Sequence, residues 1–361
     1  MLERAWKRIL RRRWPSFWSI PALALWIVSL GYGVGSRVNR LCKRSKVHLK
    51  VPVISIGNIA VGGSGKTPLV ASLGRALIQE GYRVGIVSSG YRRTGVGQFV
   101  EVGHALSKRT ADDTGDEVQL LARALPDAMF AVHPVKTEAA RRLVERVEVD
   151  LIIVDDGFQH FGLHRDLDIV AFDAAVPRKW LRSFPYGILR EPISTLRLAD
   201  VVVITRSNFA VDISGLKARV SKYAPNAVWY DAKYLANQLV GESRRLPVKY
   251  LEDKSVLLFA GVGHFDSLHR QVTALAGTLV EAVELSDHQQ YDEPTVTRLQ
   301  KLIKSHSPDV VLTTGKDWVK ARHFDFGGEF YYLDLAIDLN PGEEHLTALV
   351  QDRLGLKRRD D

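Results

Sequence analysis

The stretch from Val51 to Glu80 leaves this chain few folding options. A β-branched segment, Val51–Ile56, leads into the turn Ala60-Val61-Gly62-Gly63-Ser64-Gly65, and then into Lys66, Thr67 and an amphipathic segment that reads as helix over Thr67–Glu80. Strand, flexible loop and helix in that order make a phosphate cradle. The glycines let backbone N–H groups converge, and the helix N-terminus adds its positive dipole end. In such a loop Gly62, Gly63, Ser64 and Gly65 wrap the phosphates, Lys66 reaches the β- and γ-phosphates, and the Thr67 hydroxyl ligates Mg2+. The glycine that ordinarily opens the octet is replaced by Ala60. Gly62 and Gly63 still supply freedom inside the loop, so the expected ligand is a nucleoside triphosphate with Mg2+.

A phosphate loop of this kind needs an acidic partner on a neighbouring strand. The segment "LIIVDDGFQH" supplies one: Asp155 and Asp156 close a hydrophobic strand and Gly157 opens the turn. One carboxylate can hold the Mg2+ shell while the other meets a neighbouring donor or an acceptor hydroxyl. His160 of the same segment reads equally as a hydrogen-bonded structural histidine or a reacting one. Two other phosphate-loop classes fit less well. Dimeric ATPase switches carry lysine before the two glycines, where this chain has Val61, and in "TTGKDWVK" Lys316 is followed at once by Asp317, the wrong spacing for a guanine signature.

Beyond the loop, apolar runs alternate with amphipathic segments. Strands are expected at Arg83–Ser88, Ala128–Val132, Leu151–Val154, Asp168–Phe172 and Val201–Thr205, and helices at Gly115–Leu125 and Lys136–Glu148. Short β-rich runs separated by helices predict an α/β fold with a mainly parallel, P-loop NTPase-like sheet. A second series follows: strand Val256–Ala260, helices Asp266–Ala276 and Glu293–Ser305, strands Val310–Thr313 and Phe330–Leu333, and a closing helix near Glu343–Leu354. The pattern is weakest over Ser214–Lys254. The expected division is a basic N-terminal segment over 1–48, a P-loop core over 49–225, and a smaller C-terminal α/β lobe over 226–361.

Charge sets the first segment apart. Residues 1–50 hold 12 Lys/Arg against one acid, Glu3, whereas the other 311 residues hold 38 Lys/Arg against 40 Asp/Glu. A near-neutral remainder argues against nucleic acid as a partner. Between the basic clusters, Trp14–Ser36 contains no charged residue, and as a helix it would run roughly 34 Å. Trp14 and Trp18 stand where interfacial aromatics belong. Pro15, Pro21 and several glycines leave a true span and an oblique interfacial anchor both open. A cleaved signal peptide would have an unusually long apolar region and would part the nucleotide site from its ATP. The expectation is a retained membrane-associated helix on an anionic surface, with a buried core helix as the remaining alternative. Cys42, the one cysteine, excludes an intrachain disulfide scaffold.

Taken in order, "GN" at Gly57-Asn58, "VGGSGKTP", "SSGYRR", "TGDE", "DDGFQH", "ILREP", "AGVG", "SDHQQY" and "GKDWVK" resemble the tetraacyldisaccharide 4′-kinases, the lipid A 4′-kinases of Gram-negative envelopes. The resemblance runs from about residue 50 to 320, and the apolar basic N-terminus extends it. It implies transfer of the ATP γ-phosphate to the 4′-hydroxyl of a tetraacylated disaccharide 1-phosphate, at the cytoplasmic face of the inner membrane, in a cleft between core and second lobe. It also implies that Lys66 and Thr67 handle phosphate and Mg2+, that Asp155 and Asp156 form the acidic pair, that Glu117 and Glu191 assist with metal or substrate, and that Asp116 and His288 form the catalytic dyad. The chemistry agrees with such a dyad: a sugar hydroxyl is a poor nucleophile at neutral pH and gains from a placed base. Lys316-Asp317 reads either as a nucleotide contact or as a turn salt bridge. Where the family usually has "SRGYGR", this chain has Ser88-Ser89-Gly90-Tyr91-Arg92-Arg93, so no substrate contact is expected of Ser89. The competing function is a membrane-docked ATPase switch.

Overall fold

The computed structural model describes residues 6, 9–10, 19–42, 46–91, 93–95, 98–210, 212–287 and 289–356. Arg92, His288, the Trp14–Trp18 end of the apolar segment, its preceding arginines and the tail at 357–361 lie outside the described residues.

A helix, α1 (Ser19–Cys42), precedes the sheet. It begins later than expected and runs on past Arg37 and Arg40. Pro21 falls in its first turn, where proline costs no internal hydrogen bond, and Arg40 finds a partner in Glu191 at 3.5 Å. One face carries Ile20, Leu23, Ile27, Leu30 and Val34 at helical spacing, all exposed, with Ile20 at 81% and Ile27 at 60%. Among the described residues no helix is long and apolar enough to cross a membrane.

The core follows the expected alternation. It comprises β1 (Val53–Gly57), α2 (Lys66–Gln79), β2 (Val84–Ser88), β3 (Phe99–Val102), α3 (Asp116–Ala124), β4 (Met129–Val132), α4 (Lys136–Arg146), β5 (Leu151–Asp155), β6 (Leu167–Asp173) and β7 (Val201–Thr205). β1 lies between β5 and β6, paired parallel to both, with Ile56 beside Asp155 and Gly57 beside Val170. All five residues of β1 and of β5 are buried, as a sheet covered by helices on both faces requires. Ligands in such sheets bind past the carboxyl ends of the strands where the connections diverge. At that edge β1 delivers the glycine loop, β5 the two aspartates, β6 Asp173, and β7 Thr205.

The second half joins the same sheet. It contains helix α5 (Ile213–Val220), strands β8 (Val228–Val240), β9 (Arg245–Pro247), β10 (Ser255–Ala260), helix α6 (Phe265–Leu275), β11 (Thr278–Glu284), α7 (Glu293–His306), β12 (Val310–Thr314), α8 (Gly315–Ala321), β13 (Glu329–Asn340) and α9 (Glu343–Leu354). The sheet runs in the order β11-β10-β12-β13-β8-β7-β6-β1-β5-β2-β4-β3. β8 begins parallel to β7 and continues as the antiparallel partner of β13, from Asp231 beside Asn340 to Val240 beside Tyr332. β13 in turn pairs parallel with β12. The expected strand Phe330–Leu333 is only the first part of β13, and β8 lies wholly in the stretch where the sequence pattern was weakest. The closing α9 returns to the core, where Leu346 and Val350 are buried with Leu69, Val70 and Leu73 of α2, each such side chain contributing about 1.5–3 kcal/mol of burial.

Candidate active site

The glycine loop is held from outside by its carbonyl oxygens. Arg206 donates to the Gly63 oxygen, the Thr205 hydroxyl donates to the Ser64 oxygen at 2.7 Å, and the buried Tyr234 hydroxyl donates to the Gly65 oxygen. In a trans peptide the N–H points opposite the carbonyl, so these three contacts turn the N–H groups of Ser64, Gly65 and Lys66 away from the scaffold and toward the cleft. Gly65 sits at φ 76° as the residue before α2, and a Cβ there would lie 2.1 Å from the Tyr234 hydroxyl. Glycine is required on both counts. Arg206 is itself fixed by Asp173, which also lies 3.5 Å from His264 of the second half.

Lys66 opens α2 and reaches Asp156 at 3.2 Å. Arg190 clamps the same carboxylate through both terminal nitrogens, at 3.0 and 3.1 Å, and also touches the Asn58 side chain. Asp156 has φ 50°, a left-handed conformation rare outside glycine; such outliers persist where surrounding contacts over-determine them. Those contacts are visible: Lys136, buried, donates to the carbonyls of Asp155 and Asp156, both at 2.6 Å. Burial would raise the Asp156 pKa, but Lys66 and Arg190 outweigh it and hold the carboxyl well below the usual range. Burial pulls the Lys136 ammonium below the ordinary lysine range against the attraction of Asp156 and Asp155.

Asp155 behaves oppositely. Burial, reinforced by the charge of Glu117, pushes its carboxyl from 3.8 up to about 6. Its Oδ1 is buried and has no hydrogen-bond partner among the described residues, and the same is true of Ser64 Oγ, Asn58 Nδ2 and Arg190 Nε. Orphaned polar atoms clustered around a phosphate loop indicate that a ligand completes the site. An anionic oxygen with no donor suits a cation, so the residues present fit Mg2+. Among the described residues no three His, Cys, Asp or Glu side chains form a metal cage by themselves, and a phosphate-bound Mg2+ requires none, because it takes one or two carboxylates with phosphate and water oxygens.

Across the cleft, α3 presents Asp116 and Glu117. Lys316 of α8 pairs with Glu117, whose carboxyl is pushed up by burial yet held below its ordinary value by Lys316 and Lys66. Asp116 lies 3.8 Å from Lys320. The alternative left open for Lys316-Asp317 therefore divides: Lys316 spans the two halves, whereas Asp317 is a buried acceptor for Gly261 N–H and the Thr314 hydroxyl.

A family model described as tetraacyldisaccharide-1-P 4′-kinase matches residues 21–355. The chain belongs to that family. The tetraacyldisaccharide 4′-kinase of Geobacter metallireducens is 35% identical over 306 residues, spanning 84% of this chain and 86% of that protein. That of Syntrophotalea carbinolica is 37% identical over 278 residues, with 76% and 74% covered. A crystal structure of LpxK from Aquifex aeolicus, described as an "apo" form in complex with ATP, matches with TM-score 0.72 at 27% identity, over 92% of this chain and 99% of that one.

For a tetraacyldisaccharide 4′-kinase, the motifs flagged in the sequence converge unevenly. Gly62–Thr67, Asp155, Asp156, Asp116 and Glu117 gather at one cleft; His288 is outside the described residues. Glu191 is buried against α1, accepting from the Ser36 hydroxyl at 2.7 Å and pairing with Arg40. His160 bonds Thr137 at 2.8 Å, a structural placement. Arg190, Lys136, Arg206 and Tyr234 were not singled out from the sequence. Arg190 stood beside Glu191 in "ILREP", the one signal that could have found it.

The raised Asp155 pKa has a measurable sign. A carboxyl whose folded value exceeds its unfolded value stabilises the fold at low pH and loses that contribution as pH rises from about 3.8 through about 6. In nucleotide-free protein, Asp155→Asn is therefore expected to raise Tm by a few degrees at pH 7.5 and to leave it unchanged near pH 4, read by calorimetry. A variant less stable at both pH values would contradict the assignment.

Proposed function

We propose that this chain transfers the γ-phosphate of ATP to the 4′-hydroxyl of a tetraacylated disaccharide 1-phosphate, the phosphorylation that its family performs in lipid A assembly. The observation that carries the reading is Lys66 at the head of α2, 3.2 Å from Asp156, the residue that follows β5, within a chain matched by the kinase family over residues 21–355. An ATPase switch is the disfavoured alternative.

In this reading the amides of Gly62–Lys66 and the Lys66 ammonium hold the phosphates. Thr67 and Asp155, with Glu117 beside them, are the residues that would hold Mg2+. Glu191 is left out of that set because its carboxylate is engaged with α1. Mg2+, when bound, neutralises charge on the β- and γ-phosphates. Asp116 accepts the proton of the sugar 4′-hydroxyl as that oxygen bonds to the γ-phosphorus. The bond from the γ-phosphorus to the bridging oxygen breaks, and ADP leaves with the electron pair. His288 orients Asp116 or tunes its pKa, and Asp156 keeps Lys66 placed until phosphate arrives. Most of the rate comes from positioning and charge stabilisation.

The substrate dictates where this happens. Each acyl CH2 drawn into water costs about 0.8 kcal/mol, so the enzyme must meet its acceptor at a bilayer. The exposed apolar face of α1 and the basic residues around it suit an anionic cytoplasmic leaflet, with the helix lying in the interface. Glu191 binds α1 while its neighbour Arg190 binds Asp156, so the anchor is tied to the site through adjacent residues.

Incubation with labelled ATP and vesicles containing the acylated disaccharide distinguishes the readings. A kinase labels the lipid, and His288→Ala lowers that turnover at saturating substrates by 100-fold or so; release of free phosphate without lipid labelling would overturn the reading. Deleting residues 1–36 is expected to reduce vesicle binding and raise the apparent KM for lipid while ATP affinity changes little. A truncated protein that still sediments with vesicles and works normally on them would refute the interfacial role.

A further inference from the structure

The motif "GKDWVK" forms α8, and its two lysines stand one helical turn apart, on one face. Their partners are the two adjacent carboxylates at the head of α3, Lys316 with Glu117 and Lys320 with Asp116 at 3.8 Å. Lys320 makes a second contact: its ammonium donates to the main-chain oxygen of Gln289 at 3.2 Å. Gln289 follows His288 in the loop that leaves β11, and Tyr291 of that loop sits under the Lys320 ammonium at 5.8 Å from the ring centre.

The packing beneath these contacts is tight enough to fix them. Gly315 lies against α3 so closely that a Cβ would stand 2.8 Å from Leu120. Trp318, only 1% exposed, packs with Val319, Tyr332 and Ala111, and the Arg123 guanidinium of α3 sits over its ring at 4.8 Å. Lys320 is thus delivered by a helix that has little room to shift against α3. Its charge is compact, largely buried and close to Asp116.

We propose that Lys320 is a positioning residue for the reaction: it holds the Asp116 carboxylate in place and ties the head of α3 to the loop that follows β11. The proposal rests on Asp116 acting as the proton acceptor. A proton acceptor works only within hydrogen-bond reach of the hydroxyl it serves, so a contact that fixes the place of the carboxylate bears on the rate. The other charged groups near Asp116 among the described residues are Glu117 on its own helix and Lys316 on α8, and of the two lysines Lys320 is the one with a described second contact to the loop after β11.

The test is full kinetics of Lys320→Met and Lys320→Arg in the full-length chain on vesicles, alongside Asp116→Asn. The methionine variant is expected to lose about 10- to 100-fold in kcat, with KM for ATP and for lipid within about threefold of the parent. The arginine variant recovers most of the rate. If Asp116→Asn is as active as the parent, the proton-acceptor reading fails and the proposal falls with it. If Asp116→Asn is inactive while Lys320→Met keeps the parent's kcat, or loses rate only in step with a lowered Tm, the proposal alone is overturned.

Discussion

One carboxylate between two cations organises this molecule. Asp156 faces Lys66 from the glycine loop and Arg190 from the β6–β7 connection, so three segments distant in sequence are pinned at one point. Because Asp156 and Arg190 are each more than a quarter exposed, breaking either pair costs less than the about 3–5 kcal/mol of a fully buried one. The two contacts still hold both cations against Asp156 in the free protein. In the proposed function a triphosphate would bring the competing negative charge that allows Lys66 to leave Asp156 without being stranded. Pairing to Asp156 and pairing to phosphate would then be alternative arrangements of the same lysine.

The two aspartates that end β5 illustrate how neighbours acquire different chemistry. Asp156 points among cations and stays ionised far below the ordinary range; Asp155 is buried beside Glu117 and titrates near 6. Separation of adjacent carboxyls by environment is how one fold supplies distinct roles. Here it divides an electrostatic latch from a site that suits a cation. The loop itself contributes no charged side chain before Lys66. Its anion-binding capacity comes from backbone N–H groups, which Arg206, Thr205 and Tyr234 aim by seizing the carbonyls behind them.

The sequence was most legible where signals are local. β1, the glycine loop and α2 could be read directly because strand, turn and helix follow within thirty residues, and α9 could be read to its last residue from periodicity. β8 was missed because Asp231, Lys233 and Asn237 interrupt its apolar run. Its alternation makes sense only once β13 lies antiparallel beside it. β11, at the sheet edge, is mostly half-buried and gave too weak a pattern to be noticed. In the site, Lys66 and the aspartates announce themselves by motif. Lys136, Arg190 and Tyr234 do not, since each acts through a main-chain oxygen or a carboxylate far away in the chain. Spacing along a sequence cannot register such contacts.

Lys66 is proposed to exchange its aspartate for a triphosphate. Equilibrium binding of ATP in the presence of Mg2+ to folded Lys66→Ala measures that exchange directly. Loss of a charge-assisted contact predicts affinity weaker by roughly 10- to 100-fold than the parent's. Affinity equal to the parent's, in a variant with an unaltered thermal transition, would contradict it.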